Sequence, residues 1–121
     1  MKTIDVNEEY TDVLFAVAST YADCRPDIMG EDHAYRTRKL MWRAARAVPR
    51  DAAKIILQRC IPEGYNAFEA NLLDLLPADC QVEIAREYSV CIYVQKALKE
   101  IPDMLADEWH VEGDVTRIWW D

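Results

Sequence analysis

The sequence predicts an all-α fold, a compact irregular bundle of five or six helices in a single domain spanning residues 1–121. A chain of 121 residues with 51% hydrophobic residues is long and apolar enough to bury a core without metal or disulfide staples. Only three glycines and five prolines leave little for the turn-rich connections of an all-β fold. Four prolines directly follow an apolar residue, which is typical of joints between helices: Val48-Pro49, Ile61-Pro62, Leu76-Pro77 and Ile101-Pro102.

The first helix is predicted to begin near Asp5 or Asn7. Asp5 followed by Glu8 matches a capping box, and acidic residues are favourable at the positive end of the helix dipole. Apolar residues then recur at helical core spacing: Tyr10, Val13, Leu14, Val17, Ala18 and Tyr21. The pattern stops at Arg25-Pro26, because the residue before a proline is disfavoured in helical geometry.

A second helix is predicted from Asp32 to Val48. On a helical projection, one side collects Ala34, Thr37, Met41, Ala44, Ala45 and Val48. Roughly opposite lie four cations at steps of three, four and three residues, which we name the basic stripe: Arg36, Lys39, Arg43 and Arg46. Trp42 lies between the two sides. Because the basic stripe is opposite the apolar side, it is expected to face solvent.

Three further helices are predicted between and after the proline joints. A helix over residues 50–60 is expected to turn Ala52, Ile55 and Ile56 inward. A helix over residues 66–76 is expected to begin with a second capping box, formed by Asn66 and Glu69. Met104, Leu105 and Trp109 suggest a short final helix after Pro102.

The segment from Asp79 to Glu100 is predicted to be the central helix. Residues 89–94 are apolar on every side and rich in β-branched side chains, so periodicity alone cannot separate a buried helix from a strand. Good helix formers on both flanks, and the absence of a bounding glycine or proline, favour the helix.

Charge is segregated along the chain, which carries a formal net charge of -8. Residues 34–60 hold eight Lys and Arg against the single acid Asp51, whereas residues 61–121 hold thirteen acids against four bases. The basic stripe, with Trp42 beside it, could contact nucleic acid phosphates or an acidic protein surface. It could equally be neutralised by acids of the same chain, or by a second copy in a symmetric dimer.

The acidic surplus has two interpretations. Carboxylates displayed on helices, Glu83 and Glu87 among them, can imitate nucleic acid phosphates and occupy the basic groove of another protein. The alternative is that the surplus only keeps the domain soluble. Trp119 and Trp120 could likewise dock into a partner or pack back on their own domain. Packing on their own domain is favoured, because an exposed aromatic pair is an aggregation hazard.

Nothing in the sequence indicates catalysis, a metal or a cofactor. The chain contains no nucleotide-binding glycine loop, nucleophile elbow or HExxH motif, and its histidines lack the glutamate of di-iron bundles. The four cysteines form no CxxC pair and are expected to be reduced and buried. Since the sequence shows no signal-peptide pattern and no membrane-spanning run, we expect a cytoplasmic protein that does not contact the membrane.

These observations predict a non-catalytic module that binds another protein, in particular an inhibitor that occupies a basic, nucleic-acid-binding surface. Toxin-immunity proteins and phage anti-CRISPR proteins share this size, charge and lack of catalytic motifs, and the association rests on those features alone. The predicted contact residues are Arg36, Lys39, Arg43, Arg46, Trp42, Glu83, Glu87, Trp119 and Trp120. Direct nucleic acid binding is not expected, because its usual footprint is a net basic domain. The alternatives are a nucleic-acid-associated regulator that uses Arg36 to Arg46, or a structural subunit of a larger assembly.

Overall fold

The fold is α/β, built around a six-stranded antiparallel sheet, so the prediction of an all-α bundle is wrong. The computed structural model describes residues 4–121. The helices are α1 (Val6–Glu9), α2 (Thr11–Thr20), α3 (Pro26–Met29), α4 (Glu31–Thr37) and α5 (Arg50–Cys60), with short 3-10 helices at Ala22–Cys24 and Ala70–Leu75. The strands are β1 (Met41–Arg43), β2 (Val48–Pro49), β3 (Gln81–Glu87), β4 (Ser89–Val94), β5 (Glu108–Glu112) and β6 (Val115–Trp119).

The strands lie in the order β1-β3-β4-β6-β5, and β2 pairs with the same edge of β3 as β1 does. Two hairpins supply most of the sheet. The β3–β4 hairpin turns at Tyr88, which adopts a left-handed conformation with φ 64°. The β5–β6 hairpin turns through Gly113 and Asp114, and Gly113 takes φ 59°, which glycine tolerates without steric cost.

One face of the sheet carries the hydrophobic core. Side chains of directly opposed residues lie on the same face of an antiparallel sheet, so the registers define two faces. The core face holds Val82, Ile84, Val90, Ile92, Val94 and Ile118, all buried together with side chains of α2 and α5. Trp120 follows β6 on this side, where its ring meets Phe68 edge to face at a centroid distance of 4.8 Å.

The predicted helix from Asp79 to Glu100 is replaced by the β3–β4 hairpin. Residues 81–87 alternate between the two faces, a period of two that suits a strand. The apolar run 89–94 buries both of its sides, because Val90, Ile92 and Val94 enter the core while Cys91 is covered on the opposite face. A central strand therefore explains the same burial that suggested a central helix.

The predicted helix from Asp32 to Val48 ends at Thr37 as α4, so the basic stripe is not formed. The alanines on its expected inner side would bury little apolar area. By contrast, β1 and β2 pair with the edge of β3 and satisfy its main-chain groups, and Trp42 packs against the core. Tertiary pairing outweighs the helical pattern here.

The two other helix corrections concern residues 66–76 and the segment after Pro102. Asn66 adopts φ 52° and its amide donates to Ser89 Oγ at 3.3 Å, so the second capping box is absent and only Ala70–Leu75 form a 3-10 helix. After Pro102 the chain runs without a helix to β5, and Trp109 lies on that strand.

Two helix predictions are confirmed. The first helical region covers α1 and α2, and the Asp5 carboxylate caps it by accepting from the Asn7 N–H at 3.0 Å. Residues 50–60 form α5, with Ala52 and Ile56 fully buried. No helix within residues 4–121 is long and apolar enough to cross a bilayer.

A buried arginine on β3 ties the helical layer to the sheet. Arg86 is fully buried on the core face and pairs with the Asp23 carboxylate at 2.7 and 3.0 Å. The same guanidinium donates to the Thr20 carbonyl at 2.8 Å and to the Tyr65 hydroxyl at 3.2 Å. Burial by itself lowers the pKa of Arg86, but the hydrogen bonds that it donates to Asp23 and Tyr65 outweigh burial and hold the pKa above its ordinary value. The cation therefore stays charged and needs its partners.

We expect Asp23→Ala to lower the free energy of unfolding by about 3–5 kcal/mol, because it leaves a buried guanidinium unpaired. The matched control is Asp27→Ala, which breaks the exposed pair with Arg25 and is expected to change the free energy of unfolding far less, because solvent screens an exposed ion pair. Urea unfolding followed by tryptophan fluorescence measures both. Equal losses in the two variants would contradict the tying role of Arg86.

Candidate functional site

The second face of the sheet is the candidate site, and we name it the open face. Among residues 4–121 no helix packs on it, and its residues lie outside the hydrophobic core cluster. The registers place on it Met41 and Arg43 of β1, Glu83, Ala85 and Glu87 of β3, Cys91 and Tyr93 of β4, Arg117 and Trp119 of β6, and Glu108, His110 and Glu112 of β5. Ala85 and Cys91 also lie on this face and are buried beneath the longer side chains around them.

Charged side chains on the open face pair with one another across strands. Arg43 Nε donates to Glu83 Oε1 at 2.8 Å, and the Arg43 guanidinium lies 3.7 Å from the centroid of the Tyr93 ring. Arg117 Nη2 donates to Glu87 Oε1 at 2.9 Å and also reaches towards Glu108 at 3.5 Å through Nη1. The open face is therefore a charge-paired surface.

Glu87 is the centre of this network. Its Oε2 accepts from the Tyr93 hydroxyl and from Cys91 Sγ, and its backbone carbonyl accepts from the Trp119 indole at 2.8 Å. Burial by itself raises the pKa of Glu87, but the hydrogen bonds from Arg117, Tyr93 and Cys91 outweigh it and hold the pKa at about 2. The carboxylate is thus charged at every physiological pH.

The donors around Glu87 stay protonated because their pKa values are raised. Burial, followed by the hydrogen bond to Glu87, raises the pKa of Tyr93 to about 12 and that of Cys91 well above its ordinary value. Burial also raises the pKa of the other thiols, to about 12 for Cys24 and Cys60. Efficient general acid–base catalysis uses a group that titrates near neutral pH, and none of these side chains does so. The network is suited to holding a surface rigid.

The residues predicted as contacts from the sequence separate into two groups. Arg43, Glu83, Glu87 and Trp119 come together on the open face, although Arg43 was predicted on a different helix from Glu83 and Glu87. The others do not join them.

Of the rest, Arg46 pairs with Asp12 at 2.8 Å, beside α2, and Trp42 packs against the core on the opposite face. Trp120 is buried in its own domain, where its indole donates to the Met104 carbonyl. Arg36 on α4 and Lys39 after it are exposed, and neither forms an ion pair within residues 4–121.

Residues 107–121, which we name the acidic hairpin, contribute Glu108, His110, Glu112, Arg117 and Trp119 to the open face and carry further exposed acids. The acidic hairpin displays five exposed carboxylates against one arginine: Asp107, Glu108, Glu112, Asp114 and Asp121. The guanidinium of Arg117 is already shared between Glu87 and Glu108, and His110 Nε2 lies 3.0 Å from Glu112. This end of the sheet therefore carries an uncompensated negative charge.

Tyr93, Cys91, Arg117 and the β5–β6 hairpin belong to the site although the sequence did not predict them there. Part of the signal was present: Glu108 to Glu112 alternates polar and apolar residues, and Gly113-Asp114 follows it, ahead of a run rich in β-branched and aromatic residues that ends at Trp119. Two such runs joined by a Gly-Asp pair indicate a β-hairpin. The same period of two places Glu83 and Glu87 on one face of β3.

Within residues 4–121 no three His, Cys, Asp or Glu side chains converge in a group that could hold a metal ion. The four cysteines are free thiols, three of them buried and Cys24 half-buried. The chain matches no protein-family model, no curated protein and no solved structure.

We expect Glu87→Gln to destabilise the protein by on the order of 2 kcal/mol at pH 7, after allowance for partial solvent screening. The pKa of Glu87 lies below its ordinary value of 4.5, so its stabilising effect is complete above about pH 5 and is lost as the pH falls towards 2. Chemical denaturation of both proteins between pH 7 and pH 3 measures the difference. A difference that stays the same at pH 3 would contradict the network as described.

Proposed function

We propose that this protein is a non-catalytic module that binds a basic surface of another protein. The acidic hairpin and the adjoining open face form the contact. The partner surface is one that normally binds nucleic acid, so the protein acts as an inhibitor by occupying it. Toxin-immunity and anti-CRISPR proteins are the classes that work in this way.

The uncompensated charge of the acidic hairpin is the observation that carries the proposal. Ion pairs within the chain engage Arg43, Arg46 and Arg117. The five carboxylates of the acidic hairpin remain exposed at one end of the sheet. Clustered negative charge of this kind accelerates association with a basic surface and repels nucleic acid itself.

The open face supports the same proposal through the cross-strand bonds of its side chains. Side chains held by cross-strand bonds lose little further conformational freedom on binding, which lowers the entropic cost of association. Trp119 and Tyr93 lie among these charges and offer aromatic contact area of the type enriched at interfaces.

The alternative of a nucleic-acid-associated regulator depended on a continuous helix through Arg36 to Arg46. That helix is not formed, and Arg43 and Arg46 are paired with Glu83 and Asp12. We therefore keep the protein-binding function as the single proposal.

The proposal is tested by affinity capture from cells of the source organism with three versions of the protein. Glu108→Gln/Glu112→Gln/Asp114→Asn removes three charges from the acidic hairpin. The matched control, Glu8→Gln/Glu9→Gln/Glu31→Gln, removes three exposed charges from α1 and α4. We expect the wild type and the control to capture the same partner in similar amounts. The hairpin variant should capture at least about tenfold less of it, since each contact at such an interface contributes about 1 kcal/mol.

Competition with nucleic acid distinguishes an inhibitor from a plain binding subunit. If the protein occupies a nucleic-acid-binding groove, an added DNA or RNA duplex should displace the captured partner. Retention of the partner by all three versions would contradict the role of the acidic hairpin. A partner that resists nucleic acid would contradict the inhibitory function.

A further inference from the structure

Strand β5 ends the sheet, and its outer edge is unpaired in residues 4–121. All five of its residues are exposed, including Trp109 at 41% and Val111 at 40%. An edge strand of this length presents main-chain donors and acceptors that another strand can use.

The direction of the main-chain groups follows from two hydrogen bonds. The Trp120 N–H donates to the Val90 carbonyl, so the main chain of Trp120 points to β4. The Trp119 carbonyl accepts from the Asp107 N–H, so the main-chain groups of Trp119 point to β5. Main-chain groups alternate in direction along a strand, and therefore Glu108, His110 and Glu112 bond to β6. The N–H and C=O groups of Trp109 and Val111 point outward.

Side chains at this edge differ between the two faces. Trp109 and Val111 lie on the core face, beyond the edge of the core, where they form a short apolar strip. Glu108, His110 and Glu112 lie on the open face. An added strand that alternates apolar and basic residues matches both faces, because directly opposed apolar pairs and opposite charges stabilise a sheet.

Charge disfavours a second copy of this chain at the edge. Antiparallel pairing of β5 with itself about His110 places Glu108 of one copy opposite Glu112 of the other, and like charges in that position are destabilising. The formal net charge of -8 on each copy adds to the repulsion. Charge complementarity therefore selects a basic strand from a different protein.

We infer that the outer edge of β5 accepts a basic strand of the partner protein and extends the sheet by β-augmentation. The main-chain groups of Trp109 and Val111 bond to that strand, the apolar strip contacts its apolar side chains, and Glu108 and Glu112 contact its Lys or Arg. The inference rests on the proposed function and names the mode of binding.

A short synthetic peptide in which lysine alternates with valine is the probe. Two control peptides are used: one with the same sequence but methylated on the backbone nitrogens of alternate residues, and one with the same composition in scrambled order. We expect the unmodified peptide to slow amide exchange at Trp109 and Val111, as measured by NMR. We expect the methylated and scrambled peptides to bind at least about tenfold more weakly, because each lost main-chain hydrogen bond costs about 1 kcal/mol.

Variants of Val111 test the protein side of the same contact. Val111→Pro removes an outward N–H and leaves the bonds between β5 and β6 in place. The control, Val111→Thr, changes the same exposed side chain but keeps the N–H. We expect peptide affinity to fall about tenfold in Val111→Pro and to change less than about twofold in Val111→Thr. Equal affinities in both variants would overturn the inference.

The outcomes separate this inference from the proposed function. If the methylated peptide binds as well as the unmodified one, and binding still requires Glu108, Glu112 and Asp114, strand addition is wrong while the acidic hairpin remains a basic-surface contact. If removal of those three charges has no effect on any peptide, the proposed function loses its support as well. Protection of Trp109 and Val111 in a dimer without peptide would overturn the choice of occupant.

Discussion

The buried ion pair between Arg86 and Asp23 is the interaction on which the arrangement of layers depends. A guanidinium without solvent must be paired, and its partners come from the end of α2, from the following 3-10 helix and from the loop at Tyr65. Arg86 therefore holds the helical layer against one face of β3. Because the helices are held on that side, no helix within residues 4–121 packs on the open face, and only its own side chains cover the strands there.

This division of the sheet explains where the charges lie. The cations that follow α4 in the sequence do not form a surface of their own, because Arg43 reaches Glu83 across β1 and β3 while Arg46 reaches Asp12 beside α2. Within residues 4–121, Arg117 is the only Lys or Arg that forms an ion pair with an acid of the β5–β6 hairpin. A chain that reads as acidic, basic and acidic thus folds so that Arg43 and Arg46 are paired within the chain, while the β5–β6 hairpin keeps a net negative charge.

The sequence predicted the first helical region and α5, whose apolar residues recur at helical spacing and whose caps and prolines mark the ends. It did not predict the sheet, because the run 89–94 is apolar on both faces and carries no period. It did not predict the end of α4 at Thr37, since that depends on a pairing with β3 more than forty residues away. Glu83, Glu87 and Arg43 were identified as candidates by charge. The period of two along β3 places Glu83 and Glu87 on one face, but their meeting with Arg43 follows from the pairing of β1 with β3, which no local pattern specifies.

Amide hydrogen exchange in the free protein tests the central claim, that the sheet ends at β5 with an unpaired outer edge. Amides bonded between β5 and β6, those of His110 and Glu112, should be protected, whereas the amides of Trp109 and Val111 should exchange at nearly the rate of an unstructured chain. The same spectra should show the strongest protection in β3 and β4. Uniform exchange along residues 108–112, or helical contacts through residues 79–100, would contradict the account.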